Sequence, residues 1–159
     1  MLLVLMTSAA LLTQAGPHRY HQMVLNALGT APAKLKETVR KAMEERRVSP
    51  LCAAQEHVRD SHKRIPLLGD LIEKGLKVDT PSSDGTTALM LAAKEGDGES
   101  VNVLLDYGAD PLRRNKAGQS AVRLAELNNH EELADMLREY IGESGLRNLA
   151  DYNDDPREL

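Results

Sequence analysis

Gly85 recurs as Gly118, thirty-three residues on, and the stretch behind it recurs as well. At that offset Ala88 meets Ala121, Leu91 meets Leu124, Ala92 meets Ala125, Glu99 meets Glu132, Leu104 meets Leu137 and Tyr107 meets Tyr140. Similar pairs fill the gaps: Thr87 with Ser120, Leu89 with Val122, Val103 with Met136. Gly75 lies thirty-three before Gly108, and Leu71-Ile72 precede Leu104-Leu105 at the same spacing. A period of this length marks an array of supersecondary units. No unit can bury its apolar side alone, so neighbours must stack.

Each unit reads as two short helices and a loop. Thr87 is placed to cap the first helix. Leu89, Leu91, Ala92 and Ala93 form its inner side, with the alanines permitting close neighbours, and Gly96 ends it. Val101, Leu104 and Leu105 supply the apolar side of the second helix, which Gly108 ends in a left-handed conformation. "ADPLRRNKAG" then projects towards the next layer. The chain has four tyrosines and no Phe or Trp, so its core is aliphatic and alanine-rich, suited to thin helical layers rather than a large sheet.

The run "DGTTALMLAAKEGDGESVNVLLDYGADPLRRNKAGQSAVRLAELNNHEELADMLREY" resembles the ankyrin repeat family over nearly two ungapped units. The family's Thr-Pro-Leu-His stretch stands here as Thr87-Ala88-Leu89-Met90 and as Ser120-Ala121-Val122-Arg123. Its histidine is missing from both, and with it the interlayer hydrogen bonds that the histidine makes. The second Gly-His pair stands as Gly96-Asp97 and Asn129-His130. Upstream, Ser49-Pro50-Leu51-Cys52 occupies the Thr-Pro-Leu-His place in a divergent unit. Leu51 to Leu71 spans twenty residues against fifteen for Leu89 to Leu104, which puts about five extra residues near His57–Arg64. The expected fold is all-α: an ankyrin-type stack of helix–loop–helix layers with projecting loops and N-terminal capping helices. The expected division is 1–16, an apolar segment; 17–48, N-terminal helices; 49–78, a divergent repeat; 79–111 and 112–141, two regular repeats; and 142–159, a tail.

Within the N-terminal helices, "HRYHQMVLNAL" brings Tyr20, Val24, Ala27 and Leu28 to one face and stops at Gly29. Thr30 is expected to cap the next helix, "AKLKETVRKAMEERR", with Pro32 in its first turn and Leu35, Val39, Ala42 and Met43 inward. Ser49 is expected to cap the following helix with Pro50 at its first position. Pro66 is expected to start the helix "RIPLLGDLIEKG" rather than interrupt it. Residues 7–29 read as a further degenerate helix pair. Beyond Gly142 the tail carries a short amphipathic patch, Leu146, Leu149 and Tyr152, expected to fold over the last layer, and an acidic end expected to be disordered.

Residues 1–16 carry no charge and are too short for a membrane span. A capping helix is the expectation. A secretory signal cleaved after Thr13-Gln14-Ala15 is the alternative, although no Lys or Arg precedes its apolar stretch. The expected compartment is cytoplasmic, or outside the cell if residues 1–15 are removed. One cysteine, Cys52, excludes an intramolecular disulfide and a cysteine-rich zinc site.

Little in the chain asks for catalysis. There is no phosphate-cradling glycine loop, no Gly-x-Ser-x-Gly turn and no His-Glu-x-x-His pair. His18 and His21 lie three apart on a helix but lack further ligands nearby. Cys52 reads as a packed small residue, and Glu131-Glu132 and Asp154-Asp155 as solvated charge. "RKAMEERR" lacks aromatic residues for stacking on bases. We therefore expect no cofactor, no metal, no nucleic acid, and no membrane contact except through residues 1–15. The chain is expected to be a monomer and not an enzyme.

The resemblance implies protein–protein recognition through loop tips and the concave face of the first helices, as an adaptor or inhibitor. Carried over position by position, those slots hold Pro81, Ser83, Asp84, Thr86, Lys94 and Glu95 in one unit. In the next they hold Arg114, Lys116, Ala117, Gln119, Leu127 and Asn128, with Arg113 beside them. Residues 17–64 carry ten Lys/Arg and five Asp/Glu, and residues 65–159 ten and nineteen, a split of +5 and −9. The Arg113-Arg114-Asn115-Lys116 tip is thus a basic point on an acidic half, expected to meet an acidic patch on a partner. The alternative is that Arg113 and Arg114 pair internally with Asp79 or Asp84. Two further readings stay open: an exported protein that protects or tethers a partner, and a subunit docking a larger assembly through its apolar N-terminus.

Overall fold

The computed structural model describes residues 18–45 and 47–152, with side chains placed through residue 142. Every regular element among the described residues is helical. They are α1 (His18–Ala27), α2 (Ala33–Glu44), α3 (Pro50–His57), α4 (Ser61–Glu73), α5 (Ala88–Glu95), α6 (Gly98–Asp106), α7 (Ala121–Leu127) and α8 (Glu131–Tyr152). None is long and apolar enough to cross a membrane. The expected segment 1–16 and the acidic end 153–159 lie outside the described residues, as do the side chains of the Leu146, Leu149 and Tyr152 patch.

The helices stack in two rows. The first helices of the units, α3, α5 and α7, pack side by side with α5 in the middle, while α4 packs on α6. The capping hairpin inverts this order: α1 lies chiefly against α4, and α2 against α3. One continuous core runs through both rows. Leu51, Leu68, Leu71, Leu89, Val101, Leu104 and Leu137 are fully enclosed in it, with Ala92, Ala93 and Ala125 at the close approaches. Met90, at the place of the family's histidine, is just as buried and fills the interlayer space with a flexible apolar chain. Val24, Leu28, Val39 and Met43 carry the hairpin's share.

Local chemistry sets the helix ends. Thr87 Oγ1 accepts the Met90 amide at 3.4 Å and Ser120 Oγ the Arg123 amide at 3.3 Å, equivalent caps one period apart. Ser49 Oγ accepts the Cys52 amide at 3.2 Å, with Pro50 in the first turn. Gly96 ends α5 at φ +73°, a conformation that costs a side-chain-bearing residue dearly. Gly108 does the same after α6 at φ +81°. Ile141 stands where that glycine would recur, and there the chain does not turn. Instead, α8 runs on to Tyr152. The helical backbone thus crosses the expected boundary at 141 and continues through the region read as a folded-back patch.

Two expected helix starts are corrected. Thr30 does not cap α2. Pro32 holds the cap position at φ −52°, ψ 139° and offers no side-chain acceptor, while its carbonyl takes the Leu35 amide at 2.9 Å. Pro66 does not start α4 but lies inside it. The helix begins five residues earlier because Asp60 caps it, accepting the His62 amide at 3.1 Å. Pro66 forfeits one backbone bond there, and its ring is exposed on the helix surface. The five extra residues of the divergent unit are therefore mostly helix. Its first helix has eight residues, like α5, but α4 has thirteen where α6 has nine.

That added turn carries Arg64, which is buried. Its guanidinium pairs with Asp97 at 2.6 Å and donates to the Val58 carbonyl at 2.9 Å and to Ser100 Oγ at 3.2 Å. Gln55, also buried, donates to Asp97 at 2.9 Å and to Glu95 at 3.0 Å. Layers lacking the repeat histidine are joined here by other polar bonds. Burial works against the Asp97 carboxylate, but the Gln55 and Ser100 donors and the Arg64 charge together hold its pKa below the usual range.

Candidate functional site

The loops between units are tied into a short ladder. The Ser83 amide donates to the Arg47 carbonyl at 3.1 Å and the Lys116 amide to the Asp84 carbonyl at 2.8 Å, so the same bond recurs from layer to layer. Within the middle loop, Asp84 accepts both the Thr86 amide at 3.0 Å and its hydroxyl at 2.6 Å. Burial opposes ionisation of Asp84, but these two bonds and the Lys116 charge outweigh it and lower its pKa. In the last loop Asn115 Oδ1 accepts the amides of Ala117 at 3.0 Å and Gln119 at 2.9 Å, an Asx arrangement that sets the tip.

Between this ladder and the first-helix row lies a groove of about 740 Å³. Leu91, Leu124 and Leu127 give it an apolar floor, and Leu127 is half exposed. Of the residues expected at the binding face, Ser83, Asp84, Thr86, Lys94, Gln119 and Asn128 line it. Arg113, Arg114 and Lys116 do not line it but stand on the adjoining tip, exposed. Glu95 is drawn instead to Gln55 at the far end of α5.

Asn115 of the expected tip also lines the groove, as do Arg47, Val48 and Glu56, which lie outside the expected binding positions. Arg47 and Val48 sit in the hairpin-to-stack connection, whose approach to the Ser83 loop no local pattern announces. Leu91, expected on the inner side of its helix, and Leu124, its equivalent one period on, also face the groove.

The internal pairing considered for the tip is absent among the described residues. Neither Arg113 nor Arg114 lies within 4 Å of a carboxylate; Arg114 Nη1 instead donates to the Gly118 carbonyl of its own loop at 2.9 Å. Asp79 accepts the Asp110 amide at 3.2 Å and feels Arg113 only at longer range. Burial raises the Asp79 pKa in spite of both.

Of the residues singled out for chemistry, Cys52 borders the groove but is buried, its thiol 3.4 Å from the Thr86 carbonyl, and burial pushes its pKa up, the reverse of an activated nucleophile. His21 is buried in the hairpin, and no group of three or more possible metal ligands occurs among the described residues.

A two-row helical stack with tethered loop tips and a groove along its first helices is a repeat protein of the kind that presents a surface rather than a pocket. The family model for ankyrin repeats, in three copies, matches residues 38–148. The chain belongs to the ankyrin repeat family. Human ankyrin repeat and SOCS box protein 11 is 37% identical over 92 residues, 57% of this chain and 26% of that protein. Bovine inactive serine/threonine-protein kinase TEX14 is 37% identical over 73 residues, 46% of this chain and 5% of its own length. Potassium channel AKT1 of Arabidopsis thaliana is 34% identical over 79 residues, 50% of this chain and 9% of the channel. The chain spans about a quarter or less of these relatives. Ankyrin repeats are in general protein-interaction modules.

Proposed function

We propose that this chain is a non-catalytic recognition module, an adaptor or inhibitor, that holds an acidic segment of a partner protein along the first-helix groove. The observation that carries the reading is the union of an apolar floor with a basic tip whose cations are not spent on internal ion pairs. An apolar anchor would sit over Leu91 and Leu127. Carboxylates beside it would meet Arg113, Arg114 and Lys116, where arginine offers two parallel donors per carboxylate. Lys94 on α5 adds a further cation to the groove wall, which also carries the Glu56 and Asp84 carboxylates, while Arg47 at the connection is paired with Glu45. On this reading the module works as a monomer in the cytoplasm, which a single buried thiol suits.

The test is affinity capture from a lysate with the full chain and with Arg114→Glu/Lys116→Glu. The proposal expects a protein retained by the wild type and lost from the variant. Equal retention by both would remove the tip from the interface. Sequencing the mature N-terminus checks the compartment: a chain starting at Gly16 would contradict the cytoplasmic assignment.

A further inference from the structure

The second-helix row has a groove of its own, sharing no lining residue with the first. It lies between α4 and α6 and measures about 500 Å³. Ile65 and Pro66 from α4, with Val103 and Tyr107 from the α6 side, form its apolar floor. Gly69 keeps it open. A Cβ on that buried glycine would stand 3.0 Å from the Tyr107 hydroxyl, so a side chain there would crowd the tyrosine where it lies across α4. Tyr107 is 38% exposed, unusual for the largest side chain of a layer, and its hydroxyl donates to Glu73 at 2.9 Å.

The rim is of one sign. Asp70 and Glu73 rise from α4 and Asp106 from α6, all exposed. Lys74 offsets Asp70 at 3.7 Å, but Asp106 has no ion pair among the described residues, and no cation lines the groove. The pattern continues along the row: Glu73, Asp106 and Glu139 follow one another at the thirty-three-residue period.

We propose that this second groove binds a basic protein segment with an apolar anchor, independently of the first-helix groove, so that the module can bridge two partners of opposite charge. The inference goes beyond the function proposed above and does not need it. Charge complementarity selects the occupant. A nucleic acid or an anionic membrane would be repelled by this rim. A symmetric dimer across the same face would set Asp70, Glu73 and Asp106 against their own copies. A helix or strand with Lys or Arg beside a Leu or aromatic residue satisfies floor and rim together.

The test uses the full chain and a fluorescein-labelled amphipathic peptide of Leu and Lys, with a Leu/Glu peptide of the same spacing as its counterpart. The Lys peptide should bind the wild type and the Glu peptide should not. Glu73→Gln/Asp106→Asn keeps shape and removes two rim charges, and should weaken binding about tenfold. Glu131→Gln/Glu132→Gln removes as much charge elsewhere and should change affinity less than about twofold. Arg114→Glu/Lys116→Glu should leave it intact. Absence of binding, equal losses in both neutralised variants, or loss in the tip variant would each overturn the proposal. So would concentration-dependent self-association abolished by either the rim or the tip variant, which would assign the groove to a second copy. Should the double variant melt early, Asp106→Asn alone replaces it, since Asp106 makes no ion pair to lose.

Discussion

Gly96 shows how much one residue can carry. Its φ of +73° already favours glycine, and the His130 ring of the next unit lies so close that a Cβ there would stand 2.5 Å from it. Gly118 has nearly the same φ, +75°, with open space around it. The two positions therefore separate backbone strain from crowding. Gly118→Ala should cost about 1 kcal/mol, for the left-handed conformation alone. Gly96→Ala should cost at least about 2 kcal/mol, because the ring must also move. Urea midpoints at constant slope measure both, and equal losses would show that the His130 contact is loose. Gly96 and the cap at Thr87 were legible in the sequence because each acts within one turn of the chain. Arg64 was not: its side-chain partners, Asp97 and Ser100, lie thirty-three and thirty-six residues away, and nothing within its own stretch marks it as a buried cation.

At the scale of elements, the added turn of α4 does the interlayer work. Arg64→Met should destabilise the stack by about 3 kcal/mol, the low end for breaking a buried pair, because Asp97 keeps its Gln55 and Ser100 donors. The same network makes a pH prediction. The Asp97 pKa is depressed on folding, so its contribution is complete above about pH 4, the ordinary Asp value, and fades as pH falls through the lower native value. The stability gap between wild type and Asp97→Asn should be widest near pH 7 and narrow below about pH 4. A gap that is flat from pH 7 to pH 3 would mean that Asp97 is not stabilised as an anion. The elements themselves were readable wherever propensity and packing agree, as in α5 through α7. They were misread where one residue type supports two positions. Proline is a good first residue, so Pro66 looked like a start, while the Asp60 cap upstream held the true one. Thr30 looked like a cap because the sequence does not show that Pro32 takes that place.

As a whole molecule, the stack is short and depends on its hairpin. Val24, Leu28, Val39 and Met43 bury their side chains against α3 and α4, worth about 1.5–3 kcal/mol each. Their sum rivals the full stability of a small domain. A chain lacking residues 1–47 should lose its cooperative thermal transition, and an unchanged melting temperature would show that the repeats stand alone. The binding face was half legible for a related reason. The repeat fixes which positions reach the groove, so Lys94, Gln119 and Asn128 could be placed. Arg47 and Val48 enter it from outside the repeat, through the way the hairpin joins the stack.

The most direct test of recognition along the first-helix groove is a photo-crosslinking amino acid at position 127, which keeps half its surface exposed on the groove floor. The full chain carrying it should form a covalent adduct with its captured partner. The adduct should disappear when Arg113 and Arg114 are both changed to Glu, while the melting temperature holds. A partner that is captured but never crosslinked at 127, or an adduct indifferent to the charge reversal, would contradict the account.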